Sequence, residues 1–251
     1  LDKDVVLACH LSRPKSGLDL VTSKVPGEDG YFNLVLTAGE DLSKLDQGMD
    51  YVFVLDISGS MGTDGKIAMS RQSVGAFIEE LSGDDRFEVM AFNLSPAVVF
   101  DELRPMNSTN REKAMDFLND QRARGGTVLN PALSKAYRYA NPDRTLNVVI
   151  LSDGMTEQQE RQILLKLIQE RPRNSRVFCI GVGNEVNRPL LEQLAEDSGG
   201  LAAFISHGDN FARQAKAFRR KLMTPVASNI QVDFQGIEVY DLEPKAIPNL
   251  Y

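Results

Sequence analysis

The sequence predicts an α/β fold in which a doubly wound, mostly parallel six-stranded sheet carries helices on both faces. Two observations predict it. Short continuous apolar runs, typical of strands that are covered on both faces, alternate through the middle of the chain with segments of helical spacing. Several of these runs end at glycine, serine or aspartate, as strands do at the edge of a sheet. The alternation indicates βαβ units with right-handed crossovers.

Each predicted element depends on its own local pattern. The apolar run 51–55 is the first buried strand, and the segment 66–81 has apolar residues at helical spacing. The other predicted strands are 86–92, 97–100, 147–151, 176–182 and 201–205, and the other predicted helices are 110–119, 131–139, 157–170, 189–197 and 209–222. A tight turn precedes 97–100, so we expect this strand to pair antiparallel at an edge. Pro131 begins its helix, with Asn130 as the expected N-cap.

The two ends of the chain show strand patterns and no helical pattern. Residues 1–47 contain strand-like stretches at 4–12, 18–25 and 31–38, separated by turn compositions rich in proline and glycine. Residues 226–251 contain two more, at 230–234 and 238–242. Because two short strands are poor domains alone, we expect both ends to pair as one small β unit. The α/β domain would then occupy residues 48–225.

Composition limits the classes of function. The chain has 251 residues, 42% hydrophobic and 25% charged, which is ordinary for a globular protein. A net charge of −7 argues against nucleic acid and anionic membranes as partners. No apolar run approaches the roughly 20 residues of a membrane span, so we expect no membrane insertion. The chain opens Leu-Asp-Lys-Asp, as an excised fragment would. Neither the oligomeric state nor the redox compartment follows from the sequence.

Three oxygen-rich segments lie where a doubly wound sheet places its ligands. Residues 56–60 read Asp-Ile-Ser-Gly-Ser after the first strand, residues 151–154 read Leu-Ser-Asp-Gly after another, and residues 125–127 read Gly-Gly-Thr before a helix. Since the carboxyl ends of parallel strands meet at one edge, we expect their oxygen-bearing side chains to converge. The candidate metal ligands are Asp56, Ser58, Ser60, Thr127 and Asp153.

An all-oxygen set of two carboxylates and three hydroxyls suits a hard cation. Mg²⁺ is the expected ion, with Mn²⁺ and Ca²⁺ as alternatives. Hydroxyls barely neutralise the charge of the ion, so the metal would stay electrophilic. An open coordination position would then favour an incoming carboxylate.

These residues resemble the metal-ion-dependent adhesion site of the von Willebrand factor type A family. The resemblance covers roughly residues 49–224 in the order and spacing of strands and motifs. It implies that the serines and the threonine ligate the metal directly or through water. It also implies that the aspartates often contact the metal indirectly, by hydrogen bonding to its ligands. A protein partner would then supply an Asp or Glu as a further ligand. The segments 83–87, 180–183 and 247–251 are similar to inter-alpha-trypsin inhibitor heavy chains and their bacterial relatives, which implies an extracellular, periplasmic or cell-surface location.

The leading interpretation is a non-enzymatic, metal-dependent protein-binding module of the adhesion type. One alternative is an intramolecular scaffolding domain of a larger secreted or surface protein. The other is a metal-dependent phosphohydrolase that uses Asp56. Such enzymes generally place a second acid two residues later, where Ser58 stands, and no basic residue is evident at a strand end to hold phosphate. We expect Asp153 to lie on a surface loop, so that its replacement would leave the protein folded.

Other polar residues have ordinary interpretations. Asp64 is expected in a solvated turn, although some family members bind a second cation near this point. His10 and His207 are isolated and do not indicate zinc. Gly181 and Gly183 lack the third glycine of a dinucleotide-binding loop.

Overall fold

The computed structural model describes residues 15–37, 48–156, 158–206, 230, 232–236 and 238–244. The chain divides into two compact units, Leu1–Asp46 with Thr224–Tyr251 and Gln47–Met223. The predicted strand at 4–12 and the predicted helix at 209–222 lie outside the described residues. Strand pairing between the two ends of the chain therefore stays a prediction.

The first unit contains an antiparallel hairpin at two of the strands predicted for it. Strands β1 (Gly17–Lys24) and β2 (Gly30–Thr37) pair along their full lengths. The described residues between 230 and 244 contain no strand, so the strands predicted at 230–234 and 238–242 are not found there. Asp241, within the second of these stretches, has a positive φ of 52°, which interrupts an extended backbone.

The second unit is the predicted α/β domain, built on one twisted sheet. Its strands are β3 (Asp50–Asp56), β4 (Arg86–Phe92), β5 (Pro96–Val98), β6 (Arg104–Pro105), β7 (Leu146–Ser152), β8 (Ser175–Val182) and β9 (Ala202–Ile205). The strand order is β5-β4-β3-β7-β8-β9, and only β5 and β6 run antiparallel. Strand β6 adds a seventh strand that the sequence does not predict, because a two-residue strand has no periodicity.

Helices cover both faces of this sheet. They are α1 (Lys66–Glu79), α2 (Ser108–Asp120), α3 (Asn130–Tyr137), α4 (Gln158–Gln169) and α5 (Arg188–Asp197). Phe53 and Leu55 of β3 pack into the core that contains α1 and α2, whereas Val52 and Val54 pack into the core that contains α3, α4 and α5. The central strand β3 is therefore buried at every position. Its carboxyl end, beside those of β4 and β7, is where the chain emerges into loops.

Strand β5 ends two residues earlier than predicted, and a side chain binds the backbone that follows it. The buried carboxylate of Glu88 accepts hydrogen bonds from the backbone N–H groups of Val99 and Phe100, at 3.2 and 3.1 Å from Oε1. Burial raises the pKa of Glu88, and these backbone hydrogen bonds partly oppose the rise. The N–H of Val99 still donates to the carbonyl of Val89 at 3.0 Å, so the carboxylate takes the place of a strand partner only at Phe100.

The start of α3 also differs from the prediction. Leu129 is the N-cap, and Asn130 is already inside the helix. The N–H of Asn130 donates to Oε1 of Glu160 in α4, at 2.6 Å. A side chain that is distant in sequence therefore satisfies a first-turn donor, which the local motif could not reveal.

We expect Glu88→Ala to lower the free energy of unfolding by about 1–3 kcal/mol, because the Phe100 N–H loses its acceptor inside the edge of the sheet. Chemical denaturation followed by circular dichroism measures this loss. The matched control is Glu102→Ala, which removes an exposed carboxylate and should change stability by less than about 0.5 kcal/mol. Equal stability of the two variants would show that the Glu88 carboxylate does not stabilise the backbone after β5.

Candidate metal centre

Asp56 ends the central strand and lies fully buried at the carboxyl edge of the sheet. Its Oδ1 accepts the N–H of Ser58 at 2.8 Å, and its Oδ2 accepts the hydroxyl of Ser152 at 2.6 Å. Burial raises the pKa of Asp56, while the hydrogen bonds from Ser152 and Ser58 oppose the rise. One oxygen thus shapes the loop after β3, and the other ties Asp56 to the end of β7.

Ser58 and Ser60 present two hydroxyls side by side. The chain turns into a short 3₁₀ helix, Gly59–Gly62, directly after Ser58. Ser58 is buried and Ser60 is half-buried, and their Oγ atoms lie 3.2 Å apart. The structure therefore brings Asp56, Ser58 and Ser60 together, as the spacing predicted.

Backbone hydrogen bonds bring the segment of Thr127 to the same loop. The N–H of Gly59 donates to the carbonyl of Gly125 at 2.9 Å, and the N–H of Val128 donates to the carbonyl of Asn93 at 2.7 Å. Gly125 has a φ of +77°, which favours glycine. Thr127 is half-buried between these two anchors. Whether its hydroxyl joins those of Ser58 and Ser60 on one ion stays a prediction.

Asp153 does not lie on a surface loop, and that expectation is wrong. It is fully buried after the end of β7, where its Oδ2 accepts a hydrogen bond from Nζ of Lys66 at 3.0 Å and its Oδ1 accepts the N–H of Met155 at 3.1 Å. Its charge also contributes to the raised pKa of Asp56. The two acids are therefore electrostatically coupled at the same edge of the sheet.

Three further polar residues belong to the site and were not predicted from the sequence. Ser152 bonds Asp56, and the hydroxyl of Thr156 donates to the carbonyl of Thr127 at 3.4 Å. Lys66 places an ammonium group beside Asp153, from the start of α1 rather than from a strand end. Ser152 and Thr156 lie within three residues of Asp153 in the sequence, and this proximity is a signal that could have identified them. Lys66 could not, because a lysine at a helix start normally indicates a solvated position.

Within the described part of the chain, no group of three or more His, Cys, Asp or Glu residues could hold a metal ion. A cation at this edge would therefore depend on hydroxyl ligands as well as carboxylates. Asp64 is exposed in a turn with a φ of +51°, as expected of a solvated position. None of the helices described is long and apolar enough to cross a membrane.

Comparisons with known proteins agree with this architecture. Residues 49–204 match the family model of the von Willebrand factor type A domain. Among curated proteins, the chain is 28% identical to human inter-alpha-trypsin inhibitor heavy chain H4 over 96% of its own length and 26% of the relative's. It is 26% identical to the pig heavy chain H2 over 89% of its length and 25% of the relative's. The chain thus spans about a quarter of the length of these relatives.

Solved structures share the fold. A von Willebrand factor type A protein from Catenulispora acidiphila superposes with a TM-score of 0.61 at 20% identity, covering 83% of this chain and 49% of that one. Proximal thread matrix protein 1 of the mussel byssus, with a zinc-occupied MIDAS motif, gives a TM-score of 0.53 at 19% identity, covering 69% of this chain and 47% of that one.

We expect Ser152→Ala to lower the free energy of unfolding by about 1–3 kcal/mol, since it leaves a buried oxygen of Asp56 and the N–H of Gly154 without their partner. Thermal and urea unfolding in EDTA measure the loss. Ser95→Ala removes a hydroxyl from an exposed turn and serves as the control, with a change below about 0.5 kcal/mol. An unchanged midpoint for Ser152→Ala would mean that the carboxylate of Asp56 does not depend on this hydroxyl.

Proposed function

Because the chain belongs to the von Willebrand factor type A family, we propose that it is a divalent-metal-dependent protein-binding module without turnover. Its metal would capture an Asp or Glu of a protein partner, in an extracellular, periplasmic or cell-surface setting. Domains of this family are generally protein-interaction modules. The relatives of this chain are about four times its length, so the activity and partners of the whole protein belong to the proposal.

The spacing of two hydroxyl oxygens is the observation that carries the proposal. Adjacent ligands of an octahedral ion with bonds of about 2.1 Å lie about 3.0 Å apart. The Oγ atoms of Ser58 and Ser60 are 3.2 Å apart, which fits such a pair. Thr127 and Asp153 would complete the protein ligands, directly or through water, while Asp56 would orient Ser58 from behind.

The contacts of the charged side chains at the site favour binding over hydrolysis. A bound divalent cation would polarise an incoming carboxylate and hold it. Hydrolysis needs an activated nucleophile or a base within reach of the substrate. Both oxygens of the Asp56 carboxylate already accept hydrogen bonds, from Ser58 and Ser152. Lys66, the cation that could have held a phosphate, is buried and paired with Asp153.

The metal is tested with the double variant Ser58→Ala/Ser60→Ala. Isothermal titration should show Mg²⁺ binding to the wild type and an affinity lower by about tenfold or more in the variant, because two ligands are lost. Ser95→Ala is the control. Ser58 and Ser60 suit this test better than Asp153, since removing Asp153 leaves the ammonium of Lys66 buried alone at a cost of about 3–5 kcal/mol. Equal Mg²⁺ affinity of the wild type and the double variant would refute the ligand assignment.

Capture of a carboxylate is tested by selecting a random peptide-display library on the immobilised domain in Mg²⁺ and eluting with EDTA. We expect eluted peptides to share an Asp or Glu, and its change to Asn or Gln should weaken binding by about tenfold or more, because a neutral amide is a poorer Mg²⁺ ligand. Selected peptides that bind equally in EDTA would contradict metal-dependent capture. Hydrolysis of para-nitrophenyl phosphate, abolished by Asp56→Asn, would replace the proposal with a phosphohydrolase.

A further inference from the structure

Lys66 is the feature of the site that the proposed function leaves unexplained. It is the first residue of α1, its side chain is 5% exposed, and its Nζ lies 3.0 Å from an oxygen of the fully buried Asp153. A positive charge at a helix N-terminus opposes the macrodipole, and lysines near a surface usually extend their ammonium group into water. Lys66 lies at the unfavourable end of the helix dipole, and its ammonium group does not reach water. Its position therefore depends on its ion pair with Asp153.

The fold provides a slot for the stem of this lysine at the end of strand β8. Gly183 has a φ of +101°, and its N–H donates to the carbonyl of Ile205 at 2.8 Å, so its backbone is held in place. A Cβ atom at Gly183 would lie 2.7 Å from Cε of Lys66 and 3.2 Å from its Cδ and Cγ. The glycine therefore leaves the space that the lysine stem fills.

Stability alone is a weak reason for such a pair. A buried ion pair contributes little compared with an apolar pair of the same shape, because both groups lose their hydration. What the pair does change is the charge at the site. Asp56 and Asp153 with Lys66 carry a formal charge of −1, where the two acids alone would carry −2. A bound divalent cation would bring the site to +1 with Lys66, and only to neutrality without it.

We propose that Lys66 is a built-in counter-cation of the metal site. It balances Asp153 when no metal is bound, lowers the affinity for the metal, and leaves the loaded site with the positive charge that attracts an acidic partner. Lys66 touches no partner in this scheme and acts through Asp153. The inference depends on the proposed metal-dependent function, whose regulation it describes.

Two variants of Lys66 test this role. Lys66→Met keeps an unbranched apolar stem, and Lys66→Gln keeps a hydrogen-bond donor; both remove the charge. Titration of Mg²⁺ alone into each protein at one pH should show affinity raised by about tenfold or more over the wild type, since a like charge near the ion is gone. In EDTA both variants should unfold at a lower temperature than the wild type, because Asp153 is left uncompensated, and Mg²⁺ should raise their midpoints more than it raises that of the wild type.

The matched control is Lys135→Met, which breaks a lysine–aspartate pair of 2.6 Å in which Asp101 is 70% exposed. Its Mg²⁺ affinity should stay within about twofold of the wild type, because water and salt screen exposed charges. Folded Lys66 variants with Mg²⁺ affinity equal to or below that of the wild type would overturn the inference alone. Variants that stay unfolded even in Mg²⁺ would also overturn it, since Lys66 would then be purely structural. A wild type that binds no Mg²⁺ would instead defeat the proposed function, and this inference with it.

Discussion

The carboxylate of Asp56 is the group on which the whole site depends. It lies at the end of a strand that is buried on both faces, and each of its oxygens accepts a hydrogen bond, one from the Ser58 N–H and one from the Ser152 hydroxyl. These two bonds join the loop after β3 to the end of β7. An unpaired carboxylate in this place would be very costly, so the geometry of both loops follows from satisfying it.

Hydrogen bonds within the protein tie the other loops at this edge to one another. The loop of Ser58 is tied to the segment of Thr127 through Gly59 and Gly125, and that segment is tied to the end of β4 through Asn93. A site whose loops already hold one another loses little entropy when it binds an ion. The side chains that would meet a cation are therefore carried on a frame that the sheet and its loops have already ordered.

The electrostatics of this edge arise from three groups brought from distant parts of the sequence. Asp56 and Asp153 raise the local negative charge, and the ammonium of Lys66 offsets part of it. Each of the three is buried, so water screens their mutual interaction weakly. A single charge at this edge consequently has more effect on a bound cation than the net charge of −7 spread over the whole chain.

The sequence by itself determined the α/β class, the position of nearly every described strand and helix, and the local turn that carries Asp56, Ser58 and Ser60. Those features depend on short-range patterns: continuous apolar runs for strands such as β3, helical spacing for α1, and the reach of a side chain to the backbone two residues later. Only the tertiary structure decided the rest. Glu88 accepts the Phe100 N–H beyond β5, Glu160 caps α3, and Lys66 neutralises Asp153 across 87 residues of sequence. No periodicity records such pairings, because they depend on where burial places a charge and on which distant group satisfies it there.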